Sequence, residues 1–240
     1  DSIFPKNEIK TSKNRLLSSL SNLVTNHSSL ADKALRYYSM NGTDFHTPVE
    51  GTMKSIKRIK SQHLVKKLNY FNKNVLKKVY IRGKKDVLKI SKILTNECGW
   101  SEKGKFQRVA KKDQKFKKLK KKIILVPVPN ANQAQIRLGR FLPLSKIQND
   151  DLLILSSSYL GGGFISVLNQ EIRVKRGLTY SIGATARSQK YYGRSTIMTF
   201  SRNDKVSETI SIIKEILGKA QNEIDGEGLH SVRNYLKVSF

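Results

Sequence analysis

The chain has 240 residues, 38% of them hydrophobic, and carries 46 Lys and Arg against 18 Asp and Glu, a formal net charge of +28. That length can bury one substantial core or two modest ones, and apolar residues recurring in periodic blocks exclude compositional disorder. The single cysteine, Cys98, excludes an intrachain disulfide and any cysteine-cluster metal site, and no run of about 18 apolar residues offers a membrane-spanning helix. Nucleic acid, an anionic membrane surface and an acidic protein are all reasonable partners for so basic a chain. The lysines fall on nearly every segment, however, which is also the pattern of ordinary solvated faces. No signal peptide is visible and the first residue is Asp1, so the chain is expected to be processed or a piece of a longer one. Its compartment stays open.

In chain order, Ile9, Leu16, Leu17, Leu20 and Leu23 recur at helical spacing and predict a first helix over residues 5–23. Ser28 or Ser29 is expected to cap a second, which holds Leu30, Ala34, Leu35 and Tyr38 and ends at Asn41-Gly42. Met53, Ile56 and Ile59 mark a third helical stretch, and Ser61 opens a short one through Phe71. The period then changes: VLKKVYIRG reads as a strand ending at Gly83, followed by a helix with Val87, Ile90 and Leu94. Eleven of the 22 residues from 101 to 122 are Lys or Arg, which reads as a linker.

Beyond it, Pro127 and Pro129 argue against a central strand, whereas residues 133–141 alternate well enough for one. Asp150 and Asp151 start an apolar helix interrupted by Gly161, Gly162 and Gly163. A second helix is expected from Phe164 to about Lys175, stopped by Gly177. LTYSIGATAR and STIMTFSR read as paired strands joined near Tyr191-Tyr192-Gly193. Asn203 or Asp204 caps a long helix, and a last one begins near Gly228. Helices and strands mix without a strict β-α-β alternation, so the fold class is α+β.

Chemistry visible in the residues alone is sparse. No two of His27, His46, His63 and His230 lie one helical turn apart, no phosphate-binding Gly-Lys-Ser/Thr loop occurs, and Cys98 has no histidine nearby in sequence. Read by themselves, Arg173 ends a solvated helix and Tyr180 is a strand aromatic.

The stretch from GTMKSIKRIKSQHLVKKL through KKDVLKISKIL, with FHTPVEGT before it, resembles the middle of the zinc metallopeptidases related to insulinase, pitrilysin and mitochondrial processing peptidase. NQAQIRLGR followed by LGGGFISVLNQEIRVKRGLTYS is closer still, and the resemblance covers nearly the whole chain. It implies α+β units built as two-layer α/β sandwiches with a mostly antiparallel sheet, of the processing-peptidase type. Residues 1–100 would be the rear of a first unit, 101–122 a basic linker, and 123–240 the front of a second. In such enzymes one unit carries a His-x-x-Glu-His zinc motif, while its homologue has lost that motif and faces the zinc with an arginine and a tyrosine seven residues apart. Arg173 and Tyr180 fall on those two positions.

The resemblance therefore implies a non-catalytic domain that pairs with a zinc-bearing homologous subunit and lends Arg173 and Tyr180 to peptide binding and oxyanion stabilisation. Zinc would belong to the partner only, because the zinc motif is absent here and no Glu lies between Glu8 and Glu50, where the third ligand is expected near Ser18 and Ser19. Ser166-Val167-Leu168 also departs from the family's Ser-Arg-Leu. A reading of a different class is a basic scaffold or polyanion-binding module for nucleic acid or anionic lipid. Residues 111–122 would neutralise phosphates, although Phe106 and Phe116 are too sparse to stack bases.

Overall fold

A computed structural model describes residues 3–74, 80, 82, 86–98, 123–143, 147, 149–220, 222 and 224–238. The strand expected in VLKKVYIRG lies mostly outside these residues, as do the linker at 101–122 and the lysines at 111–122. Two compact units are formed, one from Asp1–Arg15 with Lys54–Ala110 and the other from Leu16–Met53 with Lys111–Phe240.

The helices of the earlier half are α1 (Lys6–Ser21), α2 (His27–Ser39), α3 (Met53–Arg58), α4 (Ser61–Asn74) and α5 (Val87–Cys98), each close to its apolar period. In the smaller unit, Ile56 of α3 is buried, and Lys13 of α1 donates to the carbonyls of Lys57 and Ile59 at 2.8 and 3.1 Å. An ammonium there satisfies carbonyls that the end of a short helix leaves open. The cap of α2 is Asn26, whose side chain accepts from the Ser29 backbone; Ser28 and Ser29 already lie inside the helix.

The larger unit contains strands β1 (Gln133–Leu142), β2 (Ile182–Ser188) and β3 (Gly193–Arg202), in the order β1-β3-β2, with both pairings antiparallel. The fold is α+β around a small antiparallel sheet. Ile136 of β1 and Ile182 of β2 both pair with Thr199, and Leu138 and Ala184 both pair with Ile197, so one face presents a continuous apolar row. That row packs on Leu168, Ile172, Ile213 and Ile216, the last two on α7 (Val206–Lys219). The opposite face of β1 meets α2 through Arg137. Its side chain, 7% exposed, bonds Asp32, both oxygens of Ser28, and the carbonyls of Ile136 and Thr199. A buried guanidinium is tolerated because its donors find acceptors.

The hairpin, the apolar helix α6 (Asp150–Gly161) and the last helix, α8 (Gly226–Val238), form where the sequence places them. Three local features differ. Phe164 and Ile165 lie in a turn, and the helix that follows is π-helical over Asn169–Val174, with Lys175 N–H reaching the Gln170 carbonyl. Strand β2 begins at Ile182 rather than Leu178, because side-chain hydrogen bonds hold residues 179–181 in a turn. Neither Asn203 nor Asp204 caps α7: Asn203 donates to the Ala131 carbonyl and Asp204 pairs with Arg202.

Helix α6 ends against the backbone of β2. A Cβ on Gly161 would stand 2.3 Å from the Ala184 nitrogen and 2.8 Å from its Cβ, so only glycine fits. Gly161→Ala is expected to force β2 outward at about 1–3 kcal/mol. Thermal unfolding would show it as a melting temperature lower by several degrees.

Candidate functional site

The stretch between the triple glycine and β2 is held from beneath by buried polar side chains. Asn169 donates to the carbonyls of Gly163 and Ile182 and to the Ser166 hydroxyl, at 3.0, 2.9 and 3.1 Å, and so ties the glycine turn to the start of β2. The Ser166 hydroxyl also donates to Gly163, and the Gln170 side chain donates to the Phe164 carbonyl at 2.9 Å. Phe164 thus sits on a fixed backbone with its ring 60% exposed.

At the other end of the helix Gly177 adopts φ +59. Its N–H bonds the Arg173 carbonyl, the 5→1 bond of an αL cap, and the Leu178 N–H reaches the Ile172 carbonyl six positions back. Nothing lies within 4 Å of a Cβ built at Gly177, so the need for glycine is one of backbone dihedral and not of space. The chain then reverses. Thr179 accepts from the Ser181 N–H, and the Thr199 hydroxyl of β3 donates to the Ser181 carbonyl at 2.9 Å and lies 3.0 Å from the Thr179 hydroxyl, within hydrogen-bond distance. Thr179 is buried, whereas Tyr180 projects outward and is 76% exposed.

Arg173 and Tyr180 are brought together. The Arg173 Cζ lies 4.8 Å from the centroid of the Tyr180 ring, within cation–π range, and 5.1 Å from that of Phe164. The Arg173 side chain makes no hydrogen bond or ion pair with the described residues, and neither does the Tyr180 hydroxyl. The nearby carboxylate, Glu171, is taken by other cations: it pairs with Arg176 and Lys175, and those bonds, Arg176's first, hold it below the usual glutamate range. Among the described residues the N–H edge of Arg173 therefore meets no acceptor, in contrast to that of Arg137, whose guanidinium is filled.

Arg173 and Tyr180 were named from the resemblance; the sequence reading did not single out Phe164, Asn169 or Thr199, which lie beside them or hold their turns. Asn169 carried a signal: it is a polar residue beside Leu168 and Ile172 on the buried side of the helix. Among the described residues no three His, Cys, Asp or Glu side chains gather into a metal site.

Comparison with solved structures places the fold. A peptidase M16 inactive domain from Pseudomonas fluorescens superposes with a TM-score of 0.76 at 21% identity, over 99% of this chain and 57% of that one. A protease from Helicobacter pylori gives 0.70 at 16%, over 99% and 58%, and a chain of Complex III2 from Candida albicans, solved with Inz-5 bound, gives 0.70 at 13%, over 95% and 55%. Identities this low establish a shared fold, and this chain spans little more than half the length of each. No curated protein matches it by sequence. The family model for the peptidase M16 inactive domain matches residues 68–236, and the chain belongs to that family.

Two outcomes check how the site is held. Gly177→Ala should cost about 1–2 kcal/mol from the left-handed dihedral alone, and Gly177→Asn less, as measured by denaturant unfolding. The depressed Glu171 contributes stability above the ordinary glutamate pKa, and that contribution is lost as pH falls through its lowered folded value. Glu171→Gln should therefore destabilise by no more than about 1 kcal/mol at pH 7, with the difference from the parent protein closing in acid.

Proposed function

We propose that this domain works beside a zinc-bearing homologous peptidase unit, where it supplies Arg173 and Tyr180 to a shared peptide site. The observation that carries the reading is the convergence of a guanidinium that has no acceptor among the described residues and an exposed phenol, 4.8 Å apart, on a scaffold of the inactive M16 family. Family membership supports the absence of independent catalysis. Pairing draws support from a fold neighbour that is itself a chain of an assembly, Complex III2.

The partner's zinc would supply Lewis-acid chemistry at the scissile carbonyl. This chain's part is binding and charge stabilisation. The free edge of Arg173 presents parallel N–H donors that fit carbonyl oxygens of an extended peptide and fix its register. The Tyr180 hydroxyl, held outward by the Thr179 and Ser181 turn, donates to the oxyanion that develops on the carbonyl. The same turn prevents the phenol from collapsing onto the sheet, so little reorganisation accompanies the reaction.

The test is a quenched fluorescent peptide assay on the protein co-purified with its zinc-bearing homologue. Tyr180→Phe should lower kcat by about 100-fold with the complex intact, as for one oxyanion donor. Arg173→Ala should act chiefly on KM. Equal turnover without the hydroxyl in an intact complex would overturn the proposal, as would chelator-sensitive hydrolysis by the isolated chain.

A further inference from the structure

We infer that Phe164 is a third member of this site, a positioning residue that holds the Arg173 guanidinium in register with Tyr180. The part that concerns substrate rests on the proposal above. The positioning itself does not.

Phe164 and Tyr180 are 16 positions apart, on two separate turns at opposite ends of one helix, yet both rings attend the same guanidinium, at 5.1 and 4.8 Å. An exposed phenylalanine on a surface ordinarily means little. This one differs because the backbone around it is fixed by side-chain hydrogen bonds that serve no packing of the ring. The Gly163 carbonyl accepts from Ser166 and Asn169, and the Phe164 carbonyl from Gln170, while the ring itself stays 60% exposed. Asn169 further links the Phe164 turn to Ile182, directly after the turn that carries Tyr180. One buried amide thereby sets the spacing of both rings.

The consequence is chemical. A long arginine on a helix end samples many rotamers, and ordering it on ligand binding costs conformational entropy. Two rings already in place restrict it beforehand while engaging only its face, so the in-plane N–H donors remain available. Carboxylates would hold it as firmly but would fill those donors, as Asp32 does for Arg137.

The first arm of the test uses the isolated chain and proton NMR of the arginine side chains, with Arg173 assigned by Arg173→Lys. The Arg173 δ-methylene protons should show ring-current shifts that diminish in Phe164→Leu, which keeps apolar bulk, and return in Phe164→Tyr. Shifts that stay unchanged in Phe164→Leu overturn the positioning. The second arm uses the complex with the zinc-bearing homologue. Phe164→Leu should raise KM for peptide about two- to fivefold with kcat retained, and Phe164→Tyr should restore KM. If Arg173→Ala raises KM and Phe164→Leu does not, the role of Phe164 falls and the Arg–Tyr proposal stands. If neither substitution moves KM, both fall together.

Discussion

One left-handed residue governs the geometry of the site. At Gly177 the backbone turns to φ +59, ends the helix after Arg173 and sends the chain back toward the sheet. Any residue with a Cβ would strain that dihedral although space is ample around it. Everything downstream inherits the reversal: the turn at 179–181, the entry of β2 beside β3, and the meeting of a helix-borne guanidinium with a loop-borne phenol. The central strand completes the arrangement from below. Thr199 fixes the turn through its hydroxyl at the same point where its backbone pairs with both neighbouring strands.

The domain uses two arginines, Arg137 and Arg173, in opposite ways. Arg137 is structural: a buried cation with a carboxylate, a hydroxyl and three carbonyls around it. Arg173 is surrounded by rings and meets no oxygen among the described residues. Glu171 is part of the difference, because its pairing with Arg176 and Lys175 leaves no carboxylate for the arginine two residues away. The charge pattern of the stretch EIRVKR is thus resolved by geometry into three cations, two paired and one open.

Much of this was legible in the residues. The 3.6-residue period found the helices, alternation found β1, and glycine followed by a β-rich run found the helix stop and the hairpin. The pair Arg173 and Tyr180 came from a resemblance and not from spacing, since nothing in six intervening positions says that two side chains will meet. What the residues hid was mostly polar. Asn26 caps α2 where Ser28 or Ser29 was expected; Asn and Ser serve a cap about equally well, and all three residues lie within four positions. Asn203 resembles a cap but bonds to Ala131 across the fold, a tertiary choice invisible locally. The π-helical turn and the late start of β2 arise the same way, from Asn169 and Thr199 reaching backbone groups far along the chain.

The tie between Arg137 and α2 also has a meaning for how the protein is made. Asp32 and Ser28 stand 105 and 109 positions before the arginine that binds them. At ordinary elongation rates of about 5–20 residues per second, α2 leaves the ribosome about 5–20 s before strand β1 exists to receive it. Until then the apolar side of α2, with Leu35 destined for the neighbourhood of Gly139, has no sheet to cover. The larger unit is completed only when β1, made long after α2, reaches back to it.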